Sequence, residues 1–324
     1  MFRQETGLRI ECIIGSVRQL NKEGSGILFI DEASNATQAT QGALLGVIND
    51  NTIGETVIHP RVRMILAANP SDSAASGRNL VMPLANRMAH FDVVGSTYEK
   101  WNEWYLTEGT PQVTPAEDLE AKVVGGWNRC YAQTKGLLSG FLNANRALLD
   151  TRPPKGSPQR GRAWNSRRTW VMAGRAVATA ACLGFEKTEL PFLLVQGFVG
   201  PGPATEWLSF VTHADLPTPE QALDGQWTAD PQQLDQVYAV VTSMTAFVAG
   251  ITDPTEKNRR AVQLWAHLYK LWELHLADMA MVSASALVAQ QLGTQSQDPA
   301  VVEGALAALK ELSRSPAAQY AAKP

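Results

Sequence analysis

Cysteine is scarce and scattered in this 324-residue chain. Cys12, Cys130 and Cys182 form no C-x-x-C pair, so neither a disulfide framework nor a zinc ribbon is read from them. Each reads instead as a small buried apolar side chain in a reducing compartment. Long apolar runs are missing too. The longest, near residues 237–251 and 277–289, are broken by Thr, Ser, Asp or Gly and are too short to span a bilayer. Met1-Phe2-Arg3-Gln4-Glu5 leads into no apolar stretch, so no secretory signal is expected there and a cytoplasmic, non-membrane protein is the expectation. Excess positive charge is also absent. The formal net charge of -3 argues against a protein that coats nucleic acid. His59, His90, His213, His267 and His275 never fall at metal-ligand spacing with an acid or a cysteine, and no nucleophile–base arrangement is read.

What is present is an ordinary globular composition, 45% hydrophobic and 18% charged, with length for two compact domains and room for a small third. Three textures follow one another, at residues 1–96, 97–215 and 216–324. In the first, residues 8–14, 26–30, 62–67 and 90–94 are rich in Ile, Val, Leu and Phe and read as strands. Between the second and third of these, Ala36, Ala39, Ala43 and Val47 recur at helical spacing. Thr52 to Ile58 reads as a hairpin with Gly54-Glu55 at its turn. Strands alternating with helices predict a parallel sheet covered on both faces. The second region is mostly helical and holds a basic, Pro- and Gly-rich loop at 152–162. The third opens on the linker-like Leu216-Pro217-Thr218-Pro219-Glu220. Its clearest helical stripe is Val262, Trp265, Tyr269, Trp272 and Leu276, read as core.

The strongest chemical signal is Gly26-Ile27-Leu28-Phe29-Ile30-Asp31-Glu32. Its apolar run suits a central strand buried on both faces, and its two acids emerge where open α/β sheets bind ligands. The plainer reading is a strand ending in a polar turn. A second apolar run, Val62-Arg63-Met64-Ile65-Leu66-Ala67-Ala68-Asn69-Pro70, ends in an amide that suits positioning of water or phosphate; a turn-forming Asn-Pro is its plainer reading. Pro83-Leu84-Ala85-Asn86-Arg87-Met88-Ala89-His90-Phe91 then carries Arg87, either a cation for transition-state charge or a surface arginine at a helix end.

The order of these pieces resembles the AAA+ ATPases: Walker B at Asp31-Glu32, a hairpin before sensor 1, sensor 1 at Asn69 and an arginine finger at Arg87. The inserted hairpin and the Ala-Ala-Asn-Pro ending look most like the MoxR-like branch. Trp164-Asn165-Ser166-Arg167-Arg168-Thr169-Trp170 is similar to that branch's sensor 2 region, with Arg167 where a proline is usual and Arg168 as the sensor 2 candidate. The resemblance spans residues 8 to 215. It implies an incomplete P-loop NTPase sheet, a helical lid and a helical C-terminal region. It also implies ATP and Mg²⁺, with Asp31 holding the metal shell, Glu32 activating water and Asn69 orienting it. Arg87 would act on a neighbouring subunit and Arg168 would read the γ-phosphate in its own. The family's ring, a hexamer, and a von Willebrand factor A-domain or other client are the implied partners.

One motif that the resemblance demands is missing. No G-x-x-x-x-G-K-[ST] loop precedes Ile27, and the chain has no Gly-Lys dipeptide. Gly7, Gly15, Gly24 and Gly26 all fail to begin the pattern. The chain therefore reads as truncated at its start and shortened between Val17 and Gly26, with an exposed sheet edge. Two functions are expected in consequence: an ATPase that remodels partner proteins, or an inactive interaction module that lends Arg87 to a neighbour. The acid-free stretch Arg152, Lys155, Arg160, Arg162, Arg167 and Arg168 suits phosphate contact, but a solvated loop explains all of it except Arg168.

Overall fold

A computed structural model of the chain describes residues 15–69, 79–107, 116–213, 216–290 and 292. The expected strand at 8–14, Cys12 and Pro70 lie outside them. The fold is mixed α/β, a small parallel sheet with extensive helices. It divides into two compact units, Met1–His90 with Thr151–Thr169, and Phe91–Asp150 with Trp170–Pro324.

The first unit begins with helix α1 (residues 15–23), followed by β1 (Gly26–Ile30), a 3-10 turn (Ala33–Asn35) and α2 (Gln38–Asp50). The hairpin β2 (Thr52–Ile53) and β3 (Thr56–Val57) comes next, then β4 (Val62–Leu66) and the short α3 (Met82–Ala85). β1 and β4 pair in parallel, from Gly26 opposite Val62 to Ile30 opposite Leu66. The hairpin turns where expected, with Gly54 at a φ of 57° that glycine adopts without strain.

Side chains alternate across a strand, so the pair has two faces. Leu28 and Val62, with Ile30 and Met64 beside them, pack against Val17, Val47 and Ile58. On the other face Ile27 and Phe29 are 59% and 58% exposed, and Ile65 is open as well. The expectation of a strand buried on both sides is thus corrected. Among the described residues the sheet has two strands and its apolar packing lies on one face only.

Helix α2 forms within the expected stretch, with the Thr37 side chain capping it by accepting from the Thr40 N–H. Of the expected stripe Val47 is buried, together with Gln41, whereas Ala36 is half-buried and Ala39 and Ala43 are exposed. Gln41 is satisfied inside: its amide donates to the Ala36 carbonyl at 3.2 Å and accepts from the Val81 N–H at 2.7 Å. Residues 90–94 form no strand. The His90 ring bonds back to the Ala85 carbonyl at 2.8 Å, and beyond it Val93 and Val94 are exposed with no ladder to join.

The second unit is helical: α4 (Tyr98–Thr107), α5 (Ala116–Ala144), α6 (Arg167–Cys182, from Trp170 onward), α7 (Leu190–Val199), α8 (Pro201–His213), α9 (Pro219–Gln221), α10 (Leu234–Gly250), α11 (Pro254–Glu273) and α12 (Ala277–Ala289). Helix α5 runs along α10 at backbone contact. A Cβ at Gly136 would meet the Ala239 carbonyl oxygen, and one at Gly140 would meet the Ala239 methyl. Asn128 braces the same seam by donating to the Phe247 carbonyl at 3.1 Å. One core gathers Phe141, Trp170, Val195 and Trp207. Another gathers Val240, Met244, Leu264, Trp265 and Leu268. The expected linker is ordered at Thr218, whose side chain and that of Gln221 form a reciprocal capping box at the start of α9. No helix among the described residues is long and apolar enough to cross a membrane.

Candidate functional site

β1 delivers Asp31 and Glu32 at its carboxyl end, and the ladder continues past the strands. The Ala67 N–H donates to the Ile30 carbonyl at 2.9 Å, and the Ala33 N–H donates to the Ala67 carbonyl at 2.9 Å. The exits of β1 and β4 are therefore stitched side by side. Because the strands are parallel, the acids and Asn69 leave from the same end of the sheet. All three side chains are exposed.

Glu32 has a left-handed backbone, φ 53° and ψ 35°. For a residue with a Cβ this conformation is disfavoured by about 1–2 kcal/mol. Local bonds hold it there. The Glu32 N–H donates to the Asp31 carboxylate at 2.8 Å, and the Asn35 amide donates to the Glu32 carboxylate at 3.1 Å. The turn beyond is anchored by buried Ala33 and Ser34. Asp31 is thus oriented by its neighbour's backbone and Glu32 by Asn35, while both keep solvent access. No group of three or more potential metal-ligating residues occurs among the described residues.

Arg87 and Arg168 form a second group. Asn86 is buried and accepts from the Ser166 hydroxyl at 3.1 Å, while its amide donates to the Trp164 carbonyl at 3.4 Å. Ser166 and Thr169 cap the start of α6 reciprocally: the Ser166 N–H donates to the Thr169 hydroxyl at 2.8 Å, and the Thr169 N–H donates to the Ser166 hydroxyl at 3.3 Å. This knot fixes the chain on either side of both arginines. The Arg87 guanidinium donates to the Asn49 side chain and to the Pro83 carbonyl, each at 2.6 Å. Its pKa is lowered, first by burial and then by the like charge of Arg168. The two guanidiniums therefore share one electrostatic neighbourhood, and neither pairs with a carboxylate among the described residues.

The structure thus brings Asp31, Glu32 and Asn69 to one strand-end edge and Arg87 with Arg168 to one basic patch. No hydrogen bond or ion pair joins the two groups among the described residues. Asn35, Asn86, Ser166 and Thr169 went unread in the sequence as positioning residues. The Ser-x-x-Thr spacing before a helical pattern was the available signal for two of them. No family model, no curated protein and no solved structure matches the chain.

Proposed function

We propose that this chain is a subunit of an AAA+ ATPase of the MoxR-like type, in which ATP binding and hydrolysis drive the remodelling of partner proteins. The observation that carries this reading is the left-handed Glu32 beside Asp31, at the end of a strand stitched in parallel to the one that leads to Asn69. Strain held by local bonds at a strand end is a mark of functional positions.

In this reading Asp31 contributes to the Mg²⁺ shell, Glu32 polarises the attacking water and Asn69 orients it. The donor set fits. Mg²⁺ usually takes one or two carboxylates and completes its shell with water and phosphate oxygens, and Asp31 offers one exposed carboxylate. When bound, the ion supplies charge neutralisation on the β- and γ-phosphate oxygens. Arg87 acts on the nucleotide of the neighbouring subunit in a ring, six-membered in the family, and Arg168 reads the γ-phosphate. A von Willebrand factor A-domain protein is the proposed kind of client, and the cytoplasm the proposed location.

A second reading has an observation in its favour. The 324 residues contain no phosphate-binding loop with its lysine, while Arg87 and Arg168 carry no carboxylate partner among the described residues. On this reading the chain is inactive alone and lends Arg87 to a neighbour's nucleotide. Calorimetry with Mg-ATP separates the two, with Asp31→Ala as control. Saturable heat that disappears in the variant supports the ATPase. No heat at millimolar nucleotide removes the self-sufficient ATPase and leaves the interaction module.

A further inference from the structure

The thiols that the sequence spacing keeps apart come together in the second unit. Cys130 lies on α5 and Cys182 is the last residue of α6. Both sulfurs face Gly126, one helical turn before Cys130. A Cβ built there would sit 3.3 Å from Cys182 Sγ and 3.7 Å from Cys130 Sγ. Glycine at 126 leaves space beside the pair; a Cβ there would press on Cys182 Sγ and lie in ordinary contact with Cys130 Sγ.

We propose that Cys130 and Cys182 are a redox-active dithiol that closes to a reversible disulfide, tying α5 to the carboxyl end of α6 by exchange with a small disulfide of the glutathione class. Cys130 is buried and Cys182 is partly exposed, so the order of events follows. Cys182, as its thiolate, attacks one sulfur of the small disulfide. That S–S bond breaks, the first small thiolate leaves and takes a proton, and a mixed disulfide forms on Cys182. Cys130 then loses its proton to solvent and attacks Cys182 Sγ, expelling the second small thiolate. Two protein thiols are oxidised and one small disulfide is reduced to two thiols.

The surroundings set the tempo. Burial, and then the neighbouring Cys130 thiol, push the Cys182 thiol well above its ordinary range. Arg129 acts in the other direction, and more weakly. The thiolate is the attacking species, so exchange is slow at neutral pH and quickens as pH rises. Such a pair responds to sustained oxidation rather than to a brief pulse. Gly184 follows at a φ of 83°, a helix end at which the chain turns without strain.

The test equilibrates the full chain across a series of glutathione to glutathione disulfide ratios, traps free thiols by alkylation, and maps peptides by mass spectrometry. The expected result is a Cys130–Cys182 linked peptide whose share rises with oxidation, a chain lighter by two hydrogens, and full reversal by dithiothreitol. Cys130→Ser removes the resolving sulfur, so a glutathione adduct should accumulate on Cys182 well above the wild-type level. Alkylation of both cysteines at every ratio would overturn the proposal. So would a link from either one to Cys12, or an adduct on Cys182 that is equally persistent in the wild type and in Cys130→Ser.

Discussion

Asn86 and Ser166, eighty residues apart, are buried against each other, with the Ser166 hydroxyl donating to the Asn86 amide oxygen at 3.1 Å. Each precedes an arginine-bearing stretch, Arg87 in one case and Arg167-Arg168 in the other. The bond therefore fixes the spacing of two cationic groups through neutral residues that could not repel them.

Removing that bond has a local readout. Asn86→Ala removes two bonds whose partners, Ser166 and the Trp164 carbonyl, each keep a bond to Thr169, so it is expected to destabilise the first unit by about 0.5–1.5 kcal/mol. Hydrogen exchange should then speed up at the Ser166 and Thr169 amides, which the cap protects. Unchanged exchange across residues 81–90 and 164–169 would show that the knot does not hold these segments.

Two glycines of α5 should respond in opposite directions. A Cβ at Gly136 would stand 2.3 Å from the Ala239 carbonyl oxygen, a backbone atom with no rotamer to escape into. Gly136→Ala is expected to destabilise by about 1–3 kcal/mol or more, as overpacking does. Gly125 has nothing within 4 Å of its built Cβ. Gly125→Ala is expected to stabilise by roughly 0.5–1 kcal/mol, because alanine is the better helix former. Urea unfolding of the two variants beside the parent checks both signs. Equal shifts would contradict the close α5–α10 seam.

These contrasts show what the sequence could and could not disclose. The strands β1 and β4 were legible because each is a short apolar run closed by turn residues, and Asp31 and Glu32 were legible because they end one. The expected stripe of α11 is borne out at Trp265, and Leu276 just beyond the helix packs on the same core, but the packed face of the helix is Ala261, Leu264, Trp265, Leu268 and Leu271. Tyr269 and Trp272 instead lean on each other at the rim, 5.7 Å apart, and remain over a third exposed. Periodicity finds a helix but does not say which neighbouring stripe a partner will cover. Contacts between distant segments were not legible at all. Nothing in the spacing of Cys130 and Cys182, or of Asn86 and Ser166, announces that they meet.

Acid should weaken the second unit through His267. It is buried, and its pKa is lowered first by that burial and then by the charge of Lys270, while hydrogen bonds to the Leu223 and Ala222 backbone pull the other way. The Trp227 ring lies 6.2 Å away and offers no counter-charge. Below the unfolded value of about 6.5 the unfolded chain binds a proton that the folded chain refuses. The contribution is thus fully present above that pH and is lost as pH falls through the lower folded value. Between pH 7 and 5 stability should decline by up to ~1.4 kcal/mol per pH unit on this account. His267→Gln should flatten the slope, as followed by thermal unfolding at several pH values. A slope that persists in the variant would assign the acid sensitivity elsewhere.

Glu32 separates stability from chemistry. Its left-handed backbone is disfavoured for any residue with a Cβ, so Glu32→Gly removes strain. After allowance for the greater freedom of glycine in the unfolded chain, the expected gain is roughly 0.5–1 kcal/mol. Glu32→Gln keeps the Cβ and the strain, so its stability should match the parent. If Glu32 polarises water, both variants should lose ATP turnover, measured in whatever assembly proves active, while nucleotide binding that depends on Asp31 persists. The pair makes two independent comparisons. Equal stability of the Gly and Gln variants would remove the strain, and turnover retained by the Gln variant would remove the carboxylate from the reaction. A gain in stability coupled to a loss of turnover is the signature of a residue held in an unfavourable conformation for its chemistry.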